Sequence, residues 1–284
     1  MSLRVAFVAR RRFEFQVPQR TTWADSAWFP VADDWGVAIS SASKFKPDVT
    51  FVFEPLSRGG LLTDEIPGVK VGIVTEQPSQ AELAEAVRRH RSGAGTPYWF
   101  TWFEDPSPEA NDLPFLAVLA AFVDTCRLPH PPRLEQAEVA VPTWARPPDM
   151  QIPAEVLPDH RDPLRTQDAL SRHGILLHYA KEPVRLSDAV ILALGHGQLV
   201  ISNRAFPVEY GLEEEDEYLV RPPNEWPKII EKEQEGLGYF RAVRVRAWQK
   251  TRELFDASTI FRRLAHDALV LKSTEKSSSN RRRR

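Results

Sequence analysis

A chain of 284 residues with 42% hydrophobic and 27% charged side chains can build one large core or two lean ones, which excludes a fibrous or wholly disordered polymer. Its 37 basic and 39 acidic residues leave a formal charge of −2, so no global field draws it to nucleic acid or to an anionic membrane. The lone Cys126 excludes an internal disulfide and a cysteine-built zinc site; with no signal-peptide order at the start and no apolar run of roughly 18 to 20 residues, a cytoplasmic protein without a membrane span is expected.

Leu3 to Ala9 is a compact apolar run of the kind that forms strands covered on both faces of a parallel sheet. Arg10, Arg11 and Arg12 follow where glycines usually let a backbone approach a ligand; three guanidiniums there can clamp a phosphate or form a solvated turn. Turn signals at Pro47-Asp48 and Pro67-Gly68 introduce two further strands, Val49 to Glu54 and Val69 to Thr75. Ser79, with Glu82 three residues on, caps a predicted helix to Arg91 whose apolar stripe is Leu83, Ala84, Ala86 and Val87. Tyr98 to Phe103 reads as a fourth strand and Asp112 to Cys126 as a helix. This alternation predicts an α/β, Rossmann-like domain over 1–135. Glu54 and Glu76 follow successive strands, at the edge where a general base would face an acceptor hydroxyl, although carboxylates there also cap turns.

From Leu128 to Pro163 prolines crowd together, and a semi-rigid linker is expected over 136–163, interrupted by the short run Ala137 to Val141. The alternation then restarts. Gly174 to Tyr179 reads as a strand, Ser187 to Leu194 as a helix, and Gln198 to Ser202 and Glu217 to Val220 as strands. Helices follow from Asn224 to about Leu271, giving a second Rossmann-like domain over 164–271. The segment 272–284, KSTEKSSSNRRRR, has too little apolar content to offset the entropy of ordering, so a disordered basic tail is expected. The acidic run Glu213 to Glu217 reads as a solvated loop, and no metal is assigned.

Between His173 and Phe261 the order is strand, charged loop, helix, glycine turn, strand, acidic loop, strand and long helices. His178 ends the first strand, Arg185 precedes the helix, and Ala193-Leu194-Gly195-His196-Gly197 closes it before Leu199-Val200-Ile201-Ser202. Glu215 to Val220 supplies the next strand, and Asn224 opens a helix. This third of the chain resembles the C-terminal half of glycosyltransferases with the two-domain GT-B architecture, and within them the CgeB-like spore-coat group. The resemblance implies two Rossmann-like domains facing across a cleft. It also implies a UDP- or GDP-sugar donor as substrate, no tightly bound cofactor, and an unknown hydroxyl acceptor.

In such chemistry the departing diphosphate needs positive charge, which a helix N-terminus and a nearby guanidinium supply. Arg185, Lys181, Ser187 and Asp188 stand where they can do so, Ser187 or Asp188 as the cap. His178 is a candidate contact to sugar or phosphate, Asn203 (with Arg204) is expected near the nucleoside, and Arg10 is a first-domain phosphate candidate. Retaining relatives carry a donor-contacting glutamate in this helix and a partner eight residues earlier; here the aligned residues are Leu192 and Val184. Three functions follow: a nucleotide-sugar-dependent transferase with Glu54 or Glu76 as base if it inverts, a non-catalytic nucleotide- or protein-binding descendant, and a nucleic-acid-modifying transferase. Net charge ranks the last lowest.

Overall fold

The computed structural model describes residues 2–14, 16–53, 65–74, 98–101, 117–118, 122–142, 145–147, 150–157, 168–180, 187–236 and 238–282, together with 81, 84 and 88. The chain divides into two compact units, one of 1–119 with 258–284, the other of 120–257.

The first unit is a six-stranded parallel sheet in the order β2-β1-β3-β4-β5-β6. Its strands are β1 (Arg4–Arg10), β2 (Asp25–Val31), β3 (Val49–Phe53), β4 (Val69–Val74), β5 (Tyr98–Thr101) and β6 (Ala117–Val118). The apolar runs read from sequence become its central strands because both faces are covered, so alternation with polar residues is not required. β3 is buried at all five positions. Phe7, Phe51 and Phe53 from β1 and β3 cluster around Phe261, whose ring lies 4.7 Å from Phe51 and 5.0 Å from Phe7.

Two elements here carry weak sequence signals and were not anticipated. β2, with Pro30 and a polar start, pairs along β1 from Asp25 to Val31. Helix α1 (Trp35–Phe45) follows, with the Asp34 carboxylate accepting from Gly36 N at 2.7 Å as its cap. In the stretch expected as a helix over 79–91, the described residues Ala81, Ala84 and Arg88 are helical. The helix expected over 112–126 is not formed as such: Ala117 and Val118 pair parallel with β5, and a 3-10 turn spans Thr125–Arg127. A short apolar run without polar spacing fits either state, and here the free sheet edge decides.

The second unit is a five-stranded parallel sheet in the order β11-β10-β9-β7-β8. β7 (Val139–Pro142), β8 (Glu155–Leu157), β9 (Ile175–His178), β10 (Leu199–Ser202) and β11 (Leu219–Val220) make it up. The linker expected over 136–163 therefore differs: its short apolar run is an inner strand, and Glu155–Leu157 adds an edge strand. Proline is compatible with both, since Pro142 ends one strand and Pro153 precedes the other. Helix α2 (Asp188–His196) returns antiparallel to β9, and α3 (Trp226–Glu235) and α4 (Arg241–Leu254) complete the unit. Val141, Leu177, Ile201 and Leu219 on one sheet face pack with Trp226, Ile229 and Ile230 of α3.

Helix α5 (Ala257–Arg282) takes the chain back to the first unit, so the second domain does not run to 271 as expected. Its core-facing residues are Phe261, Leu264, Ala265 and Ala268, and none of 269–273 is buried. Among the described residues no helix is long and apolar enough to cross a membrane.

Candidate functional site

In a parallel α/β sheet, ligands bind beyond the carboxyl ends of the strands where the strand order reverses. In the second unit the chain leaves β7 outward to β8, then returns to β9 on the other side of β7 and proceeds to β10 and β11. The reversal lies between β7 and β9. Directly beyond it the structure has a cavity of about 370 Å³ whose lining includes Pro147 after β7, Tyr179 after β9, Met150, Ile152, Asn224 and Trp226.

Tyr179 is placed there by its backbone, whose N–H donates to Ala145 O at 2.9 Å. Its side chain is half-buried and packs against the apolar core. Trp226 closes the floor; it is fully buried, with Nε1 donating to Arg221 O at 2.8 Å. A mostly apolar lining that also includes the half-buried Tyr179 and the exposed Asn224 suits a planar ring carrying polar edges. Tyr179, Pro147 and Trp226 were not singled out in sequence. The available signal was an aromatic immediately after a strand, but the pairing of β7 with β9 that sets it opposite Pro147 is not local.

On the other face of the same edge stand the residues expected from sequence. Ser187 is the cap of α2, its Oγ accepting from Val190 N at 3.3 Å, so the helix points its positive end to this edge. Asp188 is the first helical residue. Gly197, at φ +78°, ends α2 in the left-handed conformation, and Gly195 permits the helix to lie against Leu128, since an added Cβ would come within 2.4 Å of it.

His178 ends β9 and is 1% exposed, with Nδ1 3.3 Å from Ser202 Oγ and its ring 5.5 Å from that of Phe206. Burial pushes its pKa down to about 4, so the imidazole is neutral and tied to the end of β10. Asn203 uses its whole carboxamide on Ala180: Oδ1 accepts from Ala180 N at 2.8 Å and Nδ2 donates to Ala180 O at 3.0 Å. It thereby fixes the start of the loop that leads to α2. Arg204 N donates to Ser202 Oγ at 3.3 Å, and its side chain is exposed.

Lys181 and Arg185 lie outside the described residues, as do Glu54 and Glu76. Arg10 is the last residue of β1, half-buried, at the position where the first sheet's order reverses between β1 and β3. Leu192 is 3% exposed in the core side of α2, and the helix DAVILALGH carries no glutamate.

No family model matches the chain, and no curated protein does. Solved structures do. HepE of Anabaena, in complex with UDP and glucose, is 12% identical over 95% of this chain and 100% of its own, at a TM-score of 0.53. An alpha-glucosyltransferase in complex with UDP and a 13-mer DNA is 11% identical over 94% and 99%, at 0.56. A glycosyltransferase from Rickettsia africae is 10% identical over 94% and 99%, at 0.50. The chain has the GT-B type of α/β fold. At these identities the likeness is one of fold, reached through two parallel sheets and their helices.

Proposed function

We propose that this protein is a glycosyltransferase that moves a sugar from a nucleoside-diphosphate donor to a hydroxyl acceptor. The observation that carries the reading is the cavity beyond β7 and β9, lined by Tyr179, Asn224 and Trp226, on the same sheet edge as the Ser187-capped start of α2. Tyr179 faces the base, and the N-terminus of α2 takes the diphosphate, with Arg185 and Lys181 as its cationic partners. His178 and Asn203 serve as positioning residues that hold the ends of β9 and β10 and the first turn of the loop. As charge grows on the leaving diphosphate, these fixed N–H groups and cations stabilise it without reorganising. Glu54 and Glu76 remain the candidate bases for an inverting transfer, and Arg10 a candidate phosphate contact. Similarity in fold to structures solved with UDP supports a uridine donor as the first to test.

The test is calorimetric titration with UDP and UDP-glucose, followed by assay of UDP release. Saturable UDP binding that weakens at least tenfold in Arg185→Ala and in Tyr179→Ala is expected. Absence of nucleoside-diphosphate binding, or binding indifferent to both changes, would remove the proposal. A second reading has one observation in its favour: α2 offers Leu192 to the core where retaining relatives place a carboxylate. A donor-binding protein without transfer would bind UDP through Arg185 and Tyr179 and release none from UDP-glucose, with or without hydroxyl acceptors.

A further inference from the structure

The acidic run Glu213 to Glu217, expected as a solvated loop, is closed on itself. Glu213 to Asp216 are exposed, but Glu217 is buried, and its Oε2 accepts from Glu213 N at 2.6 Å. Arg246 of α4 grips the outside of the turn, its Nε donating to Asp216 O at 2.9 Å and its Nη2 lying 3.1 Å from Asp216 Oδ1. Glu215 sits at φ +69°, a left-handed conformation that a residue with a Cβ keeps only where its surroundings impose it. Held in this way, the turn aims the Glu215 carboxylate at one partner.

That partner is Arg221, the first residue after β11. The contact is a fork: Nη1 donates to Oε1 and Nη2 to Oε2, the latter at 2.9 Å, and Nη1 also donates to Val220 O at 2.6 Å. The main chain of Arg221 is engaged as well. Its N–H donates to Ser202 O at the end of β10 at 2.8 Å, and its carbonyl accepts from Trp226 Nε1 at 2.8 Å. Between those two bonds runs the turn Pro222-Pro223-Asn224-Glu225, closed by Glu225 N on Pro222 O at 2.9 Å and stiffened by the fixed φ of its prolines. Pro223, Asn224, Trp226 and Pro227 from this stretch line the cavity of about 370 Å³ at the carboxyl edge.

A forked guanidinium–carboxylate pair holds one orientation, where a single-point contact would let both side chains turn. Arg221 stands at the carboxyl edge, a place for a phosphate ligand, but its Nη1 and Nη2 are engaged by Glu215 and Val220. We propose that Glu215 and Arg221 are positioning residues for the donor's base: their pair fixes the turn that carries Asn224, and nucleoside affinity depends on it. The inference rests on the reading that this cavity takes the base. The side chains of Arg221 and Glu215 are 32% and 53% exposed, so the pair acts at modest strength and is screened by salt.

The experiment is calorimetric titration of the full chain with uridine and with UDP, in the parent, Glu215→Gln, Arg221→Lys and the exchanged pair Glu215→Arg with Arg221→Glu. Glu215→Gln alters one exposed group without altering its size, so the variant folds. Uridine and UDP affinities are expected to weaken together by about three- to tenfold in Glu215→Gln, the range a half-exposed bidentate pair supports. Arg221→Lys keeps the charge without the fork and loses part of this; the exchanged pair recovers affinity, which a loss of stability alone would not do. An Arg221 that served the diphosphate instead would be released by Glu215→Gln, so UDP would bind more tightly while uridine stayed unchanged. That result overturns the proposal, as does unchanged affinity in Glu215→Gln or a loss that the exchanged pair does not recover. A parent that binds UDP but is indifferent to these changes removes this proposal alone and leaves the transferase reading in place; a parent that binds neither uridine nor UDP removes both.

Discussion

Both ends of the Asn203 carboxamide bond one backbone residue, Ala180, across 23 positions of sequence. Its place after β10 flagged it in sequence, but the partner could not be read there, because side-chain bonds between distant loops leave no local spacing. Asn203→Ala leaves an N–H and a C=O at the mouth of the loop without protein partners, a loss of about 1 to 2 kcal/mol. A correspondingly lower urea midpoint and a several-fold weaker UDP affinity are expected, with Asn203→Asp intermediate because it keeps the acceptor for Ala180 N. Unchanged UDP affinity in Asn203→Ala would mean that the loop is held by other contacts. The neighbouring His178 was legible as a strand-end histidine, but its burial and its Nδ1 contact with Ser202 Oγ were not.

At the scale of elements, periodicity served where strands are covered on both faces and misled where an apolar run is short. β1, β3, β4, β9 and β10 are predominantly apolar runs and were legible; β2 and β7 were hidden by proline and polar neighbours, since pairing with a central strand outweighs their own propensity. Arg244 was hidden for another reason. In the sequence RAVRVRAW it reads as one basic residue among several on an exposed helix, but it is 0% exposed. Its guanidinium donates to Glu233 Oε1 at 2.7 Å, to Gly197 O at 2.7 Å, and to the carbonyls of Arg133 and Leu134. Glu233 Oε2 also accepts from Phe240 N at 3.1 Å, so the pair ties α3, α4 and the end of α2 together. Arg244→Met strands a buried carboxylate and is expected to cost on the order of 3 to 5 kcal/mol, while adding Glu233→Leu restores much of it. Urea unfolding of the single and double variants decides; a double variant no more stable than the single would show that the hydrogen bonds to the carbonyls, not the charge pair, hold the elements.

For the whole molecule, the second unit is inserted between the first unit's sheet and the helix α5 that supplies Phe261 to its core. The sequence pattern placed two α/β units in order but assigned the last helix to the second, whereas it clusters with the first, because its apolar stripe fits either core. Two buried histidines make the stability of the second unit depend on acid. His178 and His196 are both buried in it, and burial lowers each from the ordinary 6.5 to about 4. The unfolded chain therefore takes up these protons near pH 6.5, while the native unit resists them until about pH 4. Between those values protons favour unfolding, so the contribution is complete above pH 6.5 and is lost as pH falls toward 4. Each histidine supplies at most roughly 3 kcal/mol of this dependence. Unfolding free energies measured in urea from pH 7.5 to 4 should fall steadily below 6.5. The fall should be shallower in His178→Gln and shallower again with His196→Gln, after the variants' own losses at pH 7.5 are subtracted. A slope identical in parent and double variant would assign the acid response to carboxylates and leave these imidazoles as ordinary titrating groups.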